Sequence, residues 1–479
     1  MVVANKARAG IKWGAFAKLV NQAFSWLATI WVIRLLTPED FALIALSDLA
    51  IGVLVIIGQF GIGAALIRSI ELSQKQINQS FTALFIANTI LFFLFQLIAP
   101  YLGEVFEQPK LTSLIRLSAI TFLLVPFTTI NNALLNRRMQ YKQLYIFDIG
   151  ISLLQIITNL TLAMLGYGFW SLAIGALVAQ CARALCYSWI TKFTPKFDSS
   201  FSEFKPLLKD SGLNFSHSAA WEVNQRLDTF FINLFIGSYA LGVYRVVLSL
   251  AEKPVTMVGQ LVQQIGLASF SRVSKDKNLV GSYVVKSTSI MAIVLFPVFL
   301  GIAAVAPTLV PLLLGEKWLD AIVPLQIICV VQLVNALRVI PGSAMFATGF
   351  GKRKLLHVFI AIIASLLGWG IGLQYGLNIG CMLFASLYGL WFIWHIWDAS
   401  RFISVDQYQY WMSLFIPLSM SVTMFFVVMA LSNLMVEFSM VFSLICQILI
   451  GALTYGAFSL IVFRKHSMGL YSLLKSSNN

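Results

Sequence analysis

Residues 287–306, STSIMAIVLFPVFLGIAAVA, form a run of twenty residues that contains no charged side chain. A helix rises about 1.5 Å per residue, so twenty apolar residues match the roughly 30 Å hydrocarbon core of a bilayer. A strand that spans a bilayer needs only about ten residues, with lipid-facing and inward-facing side chains in alternation. The run shows no such alternation, and it therefore predicts a membrane-spanning helix.

Thirteen further apolar runs of similar length occupy most of the chain. None of them shows the alternation of a barrel strand, so we predict an all-α membrane protein with about 14 transmembrane helices. The predicted spans are 13–36, 41–67, 80–102, 111–135, 144–165, 169–191, 211–236, 239–270, 287–306, 318–348, 355–374, 377–397, 411–432 and 440–463.

The overall composition excludes a soluble protein. Of the 479 residues 59% are hydrophobic and 11% are charged, and the mean hydropathy is +0.85. Soluble domains carry about 25% charged residues, because folding always leaves a large surface in water. The net charge of +14 comes from short basic clusters between apolar runs. We therefore expect membrane lipids as partners, and no nucleic acid.

The sequence offers no motif for catalysis or for cofactor binding. The five cysteines have no metal-ligand spacing, and no Walker A, HExxH or GxSxG pattern occurs. We therefore expect no metal, no cofactor and no enzymatic activity. Transport by such a chain would be secondary, without nucleotide hydrolysis.

Lysine and arginine are concentrated in alternate loops between the predicted spans. Arg137 and Arg138, for example, follow the fourth span, whereas the intervening loops hold only Lys110 and Lys317. Positively charged loops stay on the cytoplasmic side of a membrane. The pattern therefore predicts that both termini are cytoplasmic.

A polar segment between the sixth and seventh spans divides the chain into two similar halves. Asn21-Gln22 matches Asn224-Gln225, and the hairpin Leu36-Thr-Pro-Glu-Asp-Phe-Ala-Leu43 matches Gly237-Ser-Tyr-Ala-Leu-Gly-Val-Tyr244. Parallel repeats of this kind place a substrate site in a central cavity between the halves. The predicted domains are an N-terminal lobe of six helices (1–193), a cytoplasmic linker (194–210), a C-terminal lobe of six helices (211–403), and two additional helices with a cytoplasmic tail (404–479).

Polar side chains are concentrated on one face of the first, seventh, eighth and tenth spans. An ionisable group at the centre of a bilayer costs at least about 2.5 kcal/mol, so these faces are expected to line a hydrated cavity. The cations predicted to contact an anionic substrate are Lys18, Lys253, Arg338, Arg245 and Arg226. The other polar cavity residues are Gln22, Ser25, Asn214, Gln225 and Asn335, and the candidates for ion coupling are Glu222, Asp228 and Glu252.

Structural roles are the alternative for several of these charges. Arg226 and Asp228 could pair with residues of opposite sign on adjacent helices, and Arg245 could extend to lipid headgroups at the membrane surface. For Asp48 in the second span, a cavity role and a structural role are equally supported by the sequence.

Several short motifs resemble a known family in their order and spacing. They are Gly10-Ile-Lys-Trp13, Arg34-Leu-Leu-Thr-Pro-Glu-Asp-Phe41, Phe60-Gly-Ile-Gly63, Val310-Pro-Leu-Leu-Leu-Gly-Glu-Lys-Trp318 and Pro324-Leu-Gln-Ile-Ile-Cys-Val330. Together they are similar to the bacterial polysaccharide and O-antigen flippases of the multidrug/oligosaccharidyl-lipid/polysaccharide superfamily, especially the colanic acid exporter type.

This resemblance implies a transporter of the bacterial inner membrane that works by alternating access. Its substrate would be an undecaprenyl-pyrophosphate-linked oligosaccharide, used for exopolysaccharide, capsule or lipopolysaccharide biosynthesis, and glycan polymerase machinery is a candidate partner. Related flippases carry cavity cations on the first, second and eighth helices. Lys18 and Lys253 or Arg245 match two of these helices, whereas the second span offers Asp48 instead of a cation.

Three other functions are considered. A multidrug or small-cation antiporter of the same superfamily would more often have twelve helices and an acidic, aromatic cavity. A flippase for the peptidoglycan lipid precursor would share the fold and the anionic substrate. A membrane-embedded glycan polymerase or ligase would need a long periplasmic loop, and every outer loop predicted here is short.

Overall fold

The computed structural model describes residues 25–26, 28–59, 61–69, 72–273, 277–435 and 437–463. Within these residues all regular secondary structure is helical, which confirms the predicted fold class. The helices are α1 (28–35), α2 (Pro38–Gln59), α3 (Ile62–Arg68), α4 (Gln74–Val105), α5 (Pro109–Arg137), α6 (Tyr141–Met164), α7 (Phe169–Thr191), α8 (Phe204–Asn224), α9 (Leu227–Phe235), α10 (Ser238–Val273), α11 (Lys277–Leu313), α12 (Ile322–Leu337), α13 (Val339–Ala347), α14 (Gly351–Gly372), α15 (Leu377–Ile403), α16 (Gln407–Leu434) and α17 (Met440–Phe463).

Ten helical segments in the described part of the chain are long and apolar enough to cross a membrane. The first, second, seventh and eighth predicted spans are not among them, and most of the first lies outside the described residues. The chain is thus a multi-pass membrane protein, and the number of fourteen stays a prediction. The ten segments are Gln74–Val105, Pro109–Arg137, Tyr141–Met164, Phe169–Thr191, Leu279–Leu313, Glu316–Ala347, Gly351–Tyr375, Leu377–Ile403, Gln407–Ser432 and Met440–Leu460.

Three predicted spans are interrupted. Between α2 and α3, Gly61 takes the left-handed conformation (φ 65°), which a residue without a Cβ adopts readily. In the seventh predicted span the α-helical hydrogen-bond pattern is interrupted at Arg226, between α8 and α9, and in the tenth at Arg338, between α12 and α13, while both residues keep a right-handed helical backbone. Interrupted helices mark substrate sites in many secondary transporters. Two of the three breaks coincide with predicted cavity arginines.

The chain forms two compact units. The first extends through Val246 and includes residues 351–369, and the second contains residues 247–350 together with those from 370 onward. In the first unit α4 packs against α5, and α6 and α5 both pack against α7. In the second unit α11 packs against α12, α16 and α17. The predicted lobe boundaries at 194–210 and 403 stay a prediction.

In the predicted hairpin at Leu36–Leu43, the carboxylate of Asp40 connects the start of α2 with the start of α7. Asp40 accepts a hydrogen bond from the Thr37 amide (3.0 Å) within the hairpin, and another from the Phe169 amide (3.0 Å) at the start of α7. A carboxylate is favourable at a helix N-terminus, where amides are unpaired and the helix dipole is positive. Asp40 of the Thr-Pro-Glu-Asp motif therefore holds α7 against the start of α2.

The predicted cytoplasmic linker is bound to the start of α4 by one buried glutamine. The Gln79 side-chain amide donates to Asp198 (3.3 Å) and to the Ser200 hydroxyl (2.5 Å). Its oxygen accepts from the amides of Glu203 (3.0 Å) and Phe204 (3.2 Å). The Ser200 amide and hydroxyl also donate to the Asp198 carboxylate, which lowers the pKa of Asp198 below its ordinary value.

Aromatic packing strengthens this attachment. Phe81 of α4 contacts the rings of Phe193 (5.8 Å between centroids) and Phe197 (5.9 Å). Phe204 is buried in the same cluster, next to Ile77 and Leu84. The linker therefore follows α4 through specific polar and apolar contacts.

We expect Gln79→Leu to release the linker from α4. Leucine would leave the amides of Glu203 and Phe204 without their acceptor, at a cost of about 1–3 kcal/mol for each buried group that loses its bond. Limited trypsin digestion at the exposed Lys196 measures the release, and the variant should be cut faster. Gln74→Leu is the matched control, because Gln74 lies exposed in the first turn of the same helix and bonds to Asn78, a residue of the same helix. Equal digestion rates for both variants would contradict the role of Gln79.

Candidate functional site

A network of charged residues joins α2, the break between α8 and α9, and α10. Arg226, at the break, donates to the carboxylate of Glu222 and to the backbone carbonyl of Asp48. Glu222 lies one turn before Arg226, so the pair closes over the last turn of α8. Arg226 thus pairs with an acid one turn earlier in the chain, and its bond to the adjacent helix α2 goes to a backbone carbonyl and not to an acid.

Gly52 makes room for the Arg226 guanidinium on α2. A Cβ at this position would overlap the guanidinium nitrogens and carbon of Arg226. Gly52 follows Asp48 by four residues, so both lie on one face of α2. The guanidinium therefore rests on the helix backbone beside Asp48.

Arg245 of α10 completes the network through the Asp48 side chain. Its Nη2 lies 4.0 Å from Asp48 Oδ2, which is an ion pair without a short hydrogen bond. The Asp48 side chain is 57% exposed and that of Arg245 is 32% exposed. The network has two guanidinium groups and two carboxylates, and Asp48 is its most open member. The predicted cations Arg226 and Arg245 therefore stand beside carboxylates.

Asp228 lies in the first turn of α9 and is buried, with 9% of its surface exposed. Its carboxylate accepts from the Tyr244 hydroxyl (2.9 Å), the Thr229 amide (2.5 Å) and the Thr229 hydroxyl (3.1 Å). The Tyr244 ring also stands edge-on to Trp369 of α14 (5.4 Å). Asp228 thus fixes the start of α9 against α10.

A second polar network lies within the other unit, at the break between α12 and α13. Asn335 donates to Gln332 (3.3 Å), and its oxygen accepts from Arg338 Nε (3.2 Å) and from the Tyr388 hydroxyl (2.8 Å). Tyr388 of α15 is buried and stacks on Trp391 (4.8 Å). The predicted cavity residues Asn335 and Arg338 are therefore direct partners.

The remaining predicted site residues are not brought into either network by the bonds described above. Lys18 and Gln22 lie outside the described residues. Ser25 accepts a bond from Thr29 through its backbone carbonyl (2.6 Å), and Asn214 lies within α8. Gln225 is exposed at the end of α8, Lys253 is half-buried on α10, and Glu252 beside it is exposed. Lys253 and Glu252 belong to the second unit, whereas Arg226 and Arg245 belong to the first.

Four members of these networks were not among the predicted site residues: Asp48, Gly52, Gln332 and Tyr388. Asp48 had a usable signal, because a carboxylate inside an apolar span needs a partner. For Gly52 the sequence signal was weaker and consisted of its spacing of four from Asp48. For Tyr388 the sequence showed no signal. Within the described residues, no group of three or more His, Cys, Asp or Glu is placed to hold a metal ion.

The chain matches a family profile described as polysaccharide biosynthesis protein over residues 31–323, more than half of its length. The chain belongs to this family. The matched region of this chain contains Thr37-Pro-Glu-Asp40 and both arginines of the first network. The resemblance inferred from the sequence motifs is confirmed.

Three proteins named for polysaccharide biosynthesis or transport are similar in sequence to most of this chain. The lipopolysaccharide biosynthesis protein WzxC of Escherichia coli K12 is 22% identical over 393 residues, which cover 80% of this chain and 79% of that protein. The teichuronic acid biosynthesis protein TuaB of Bacillus subtilis 168 is 22% identical over 421 residues, which cover 84% of each. The succinoglycan biosynthesis transport protein ExoT of Rhizobium meliloti 1021 is 22% identical over 309 residues, which cover 64% and 62%.

Solved structures show the fold of this family member. The lipid II flippase MurJ, in an inward closed conformation, superposes with a TM-score of 0.77 at 15% identity, over 94% of this chain and 99% of that one. An inward-facing multidrug MATE transporter of the MOP superfamily superposes with a TM-score of 0.61 at 16% identity, over 81% and 98%. The chain therefore has the fold of MOP-superfamily transporters.

Proposed function

We propose that this chain is a secondary transporter that flips an undecaprenyl-pyrophosphate-linked oligosaccharide across the bacterial inner membrane by alternating access. The match to the polysaccharide biosynthesis family over residues 31–323 carries this proposal. Its relatives include a succinoglycan biosynthesis transport protein and a lipopolysaccharide biosynthesis protein. The product would serve surface polysaccharide biosynthesis, with glycan polymerase machinery as a candidate partner.

The chemistry of the two networks supports a pyrophosphate-linked substrate. Guanidinium groups bind phosphate oxygens with paired, charge-assisted hydrogen bonds, and these strengthen where water is scarce. Arg226 and Arg338 both lie at helix breaks, and Arg245 lies next to Arg226 through Asp48. Asparagine and glutamine beside them, such as Asn335 and Gln332, can hydrogen-bond sugar hydroxyls.

The orientation and the energy coupling are part of the same proposal. The alternation of basic loops supports an orientation with both termini in the cytoplasm. Lys192, just before the linker, and Lys196, within it, are both exposed, which fits a cytoplasmic surface. Glu222, Asp228 and Glu252 are candidates for coupling transport to an ion gradient.

Deletion of the gene tests the substrate. We expect a lipid-linked oligosaccharide intermediate of the surface polysaccharide to accumulate on the cytoplasmic leaflet, where a membrane-impermeant probe does not reach it in intact cells. Accumulation of the peptidoglycan precursor instead would identify the alternative flippase function. An unchanged lipid-linked glycan pool together with increased sensitivity to cationic drugs would support the multidrug antiporter.

Lysine substitutions test the cationic path. We expect Lys18→Ala and Lys253→Ala each to abolish complementation of the deletion strain while membrane levels stay normal, because each removes a cation from the predicted phosphate path. Lys142→Ala is the control, since Lys142 is exposed in the first turn of α6. Full complementation by both lysine variants would contradict the anionic-substrate assignment.

A further inference from the structure

The two arginines of the first network are held with different strength. Arg226 donates to the Glu222 carboxylate and to the Asp48 carbonyl, and its guanidinium lies where a Cβ of Gly52 would stand. Arg245 reaches the network through a pair of 4.0 Å with the Asp48 carboxylate. Arg226 is therefore a fixed cation, and Arg245 is the one whose partner can be exchanged.

Asp48 is placed for such an exchange. Its backbone carbonyl is bound by Arg226, whereas its carboxylate faces Arg245 without a short hydrogen bond and is more than half exposed. A rotation of this side chain would release the Arg245 guanidinium, while Arg226 would stay bound to Glu222. The backbone bond from Arg226 to Asp48 would persist.

We propose that the Asp48 carboxylate is a built-in counter-anion for Arg245, which the pyrophosphate of the substrate displaces. This inference rests on the proposed function and adds a device for selectivity to it. Anionic phospholipids surround the protein, and each phosphodiester headgroup carries a single negative charge, as the Asp48 carboxylate does. A pyrophosphate diester carries more charge and more acceptor oxygens, so it competes for the arginines better than a carboxylate does.

The Asp48 carboxylate therefore raises the affinity that an anion needs in order to bind Arg245. A headgroup with one charge gains little by replacing another single charge that is already attached to the protein. Discrimination by a repulsive or competing group is a common way to obtain specificity. Asp48 thus has a positioning role beside Arg245, and it selects for pyrophosphate over phosphodiester.

Binding of undecaprenyl pyrophosphate to the full chain in lipid nanodiscs tests this inference. In nanodiscs of phosphatidylcholine alone, we expect Asp48→Asn to bind the probe about two- to fivefold more tightly than the wild type, the range for a partly exposed ion pair. When phosphatidylglycerol is added, the variant should lose this gain, and the wild type should change little. Arg245→Gln should abolish the effect of Asp48→Asn, because no guanidinium is left to compete for.

Asp148→Asn is the matched control. Asp148 forms a comparable pair with Arg183 (3.9 Å, with exposed fractions of 35% and 33%) on other helices of the same unit, and its loss should leave binding unchanged. Thermal unfolding of each variant in the nanodiscs verifies that it is folded. Binding by Asp48→Asn that equals or falls below that of the wild type would overturn the inference and leave the proposed function standing. No binding of the probe by any form, the wild type included, would overturn both.

Discussion

Gly242→Ala is expected to prevent the protein from accumulating in the membrane. Gly242 lies near the start of α10, and a Cβ there would overlap the backbone carbonyl of Pro38 and lie 2.8 Å from its Cα. All of these Pro38 atoms belong to the backbone and cannot rotate away as a side chain could. Either α10 or α2 would therefore have to shift. Overpacking of this kind costs about 3 kcal/mol. Membrane levels and thermal unfolding of the purified variant measure the loss.

Gly150→Ala is the matched control for this substitution. Gly150 also lies within a helix, α6, and a Cβ there meets no atom within 4 Å. Replacing an unhindered helical glycine with alanine stabilises a helix by up to about 1 kcal/mol. The control should therefore reach normal levels, and normal levels of Gly242→Ala as well would contradict the close approach of α10 to Pro38. Pro38 and Gly242 lie in the two hairpins, Leu36–Leu43 and Gly237–Tyr244, whose similarity indicates the internal repeat.

Arg226→Ala is expected to abolish transport and to lower stability. The substitution would remove the Arg226 bonds from the Glu222 carboxylate and from the Asp48 carbonyl. The Arg226 and Glu222 side chains are 21% and 24% exposed, so the loss should be less than the 3–5 kcal/mol of a fully buried pair, about 1–3 kcal/mol. Transport should fall at least about tenfold if a phosphate group loses one charge-assisted partner worth about 1.4 kcal/mol or more. Complementation of the deletion strain and thermal unfolding report the two effects.

A double substitution separates the two effects of Arg226. Glu222→Gln combined with Arg226→Gln removes both charges of the pair, and it should recover most of the stability without restoring transport, with Glu222→Gln alone measuring the part of the transport loss that comes from this candidate coupling residue. Arg183→Ala removes a guanidinium from the Arg183–Asp148 pair, outside the network, and should transport normally. Restored transport in the double variant would show that Arg226 acts only in folding.

Most of the fold could be predicted from hydropathy, because lipid forces each spanning segment to satisfy its own backbone hydrogen bonds. The predicted span 169–191 coincides with α7, and the span 440–463 coincides with α17. The break at Arg226 could not be predicted. The residues around it contain no glycine or proline, and Arg226 donates there to the carbonyl of Asp48, which is 178 positions away in the sequence.

The sequence shows which charged residues lie inside apolar spans, but it does not show which of them contact each other. A charge inside an apolar span shows that a partner or a cavity exists, which identified Arg226, Arg245 and Glu222. Helical periodicity shows which residues of one helix share a face, and it contains no information on which faces of two helices meet. The pairing of Arg245 with Asp48, and the placement of Arg226 on Gly52, therefore appear only in three dimensions. The attachment of the linker through Gln79 could not be predicted for the same reason.

Reconstitution tests the central claim most directly. The purified full chain would be placed in liposomes that carry a fluorescent undecaprenyl-pyrophosphate-linked oligosaccharide in both leaflets, and a membrane-impermeant glycosidase would be added outside. A flippase predicts that the inner pool becomes accessible to the enzyme, with Arg226→Ala liposomes protected to the level of protein-free ones. An inner pool that stays equally protected with the wild-type protein, at normal incorporation and under an imposed ion gradient or membrane potential, would contradict the account.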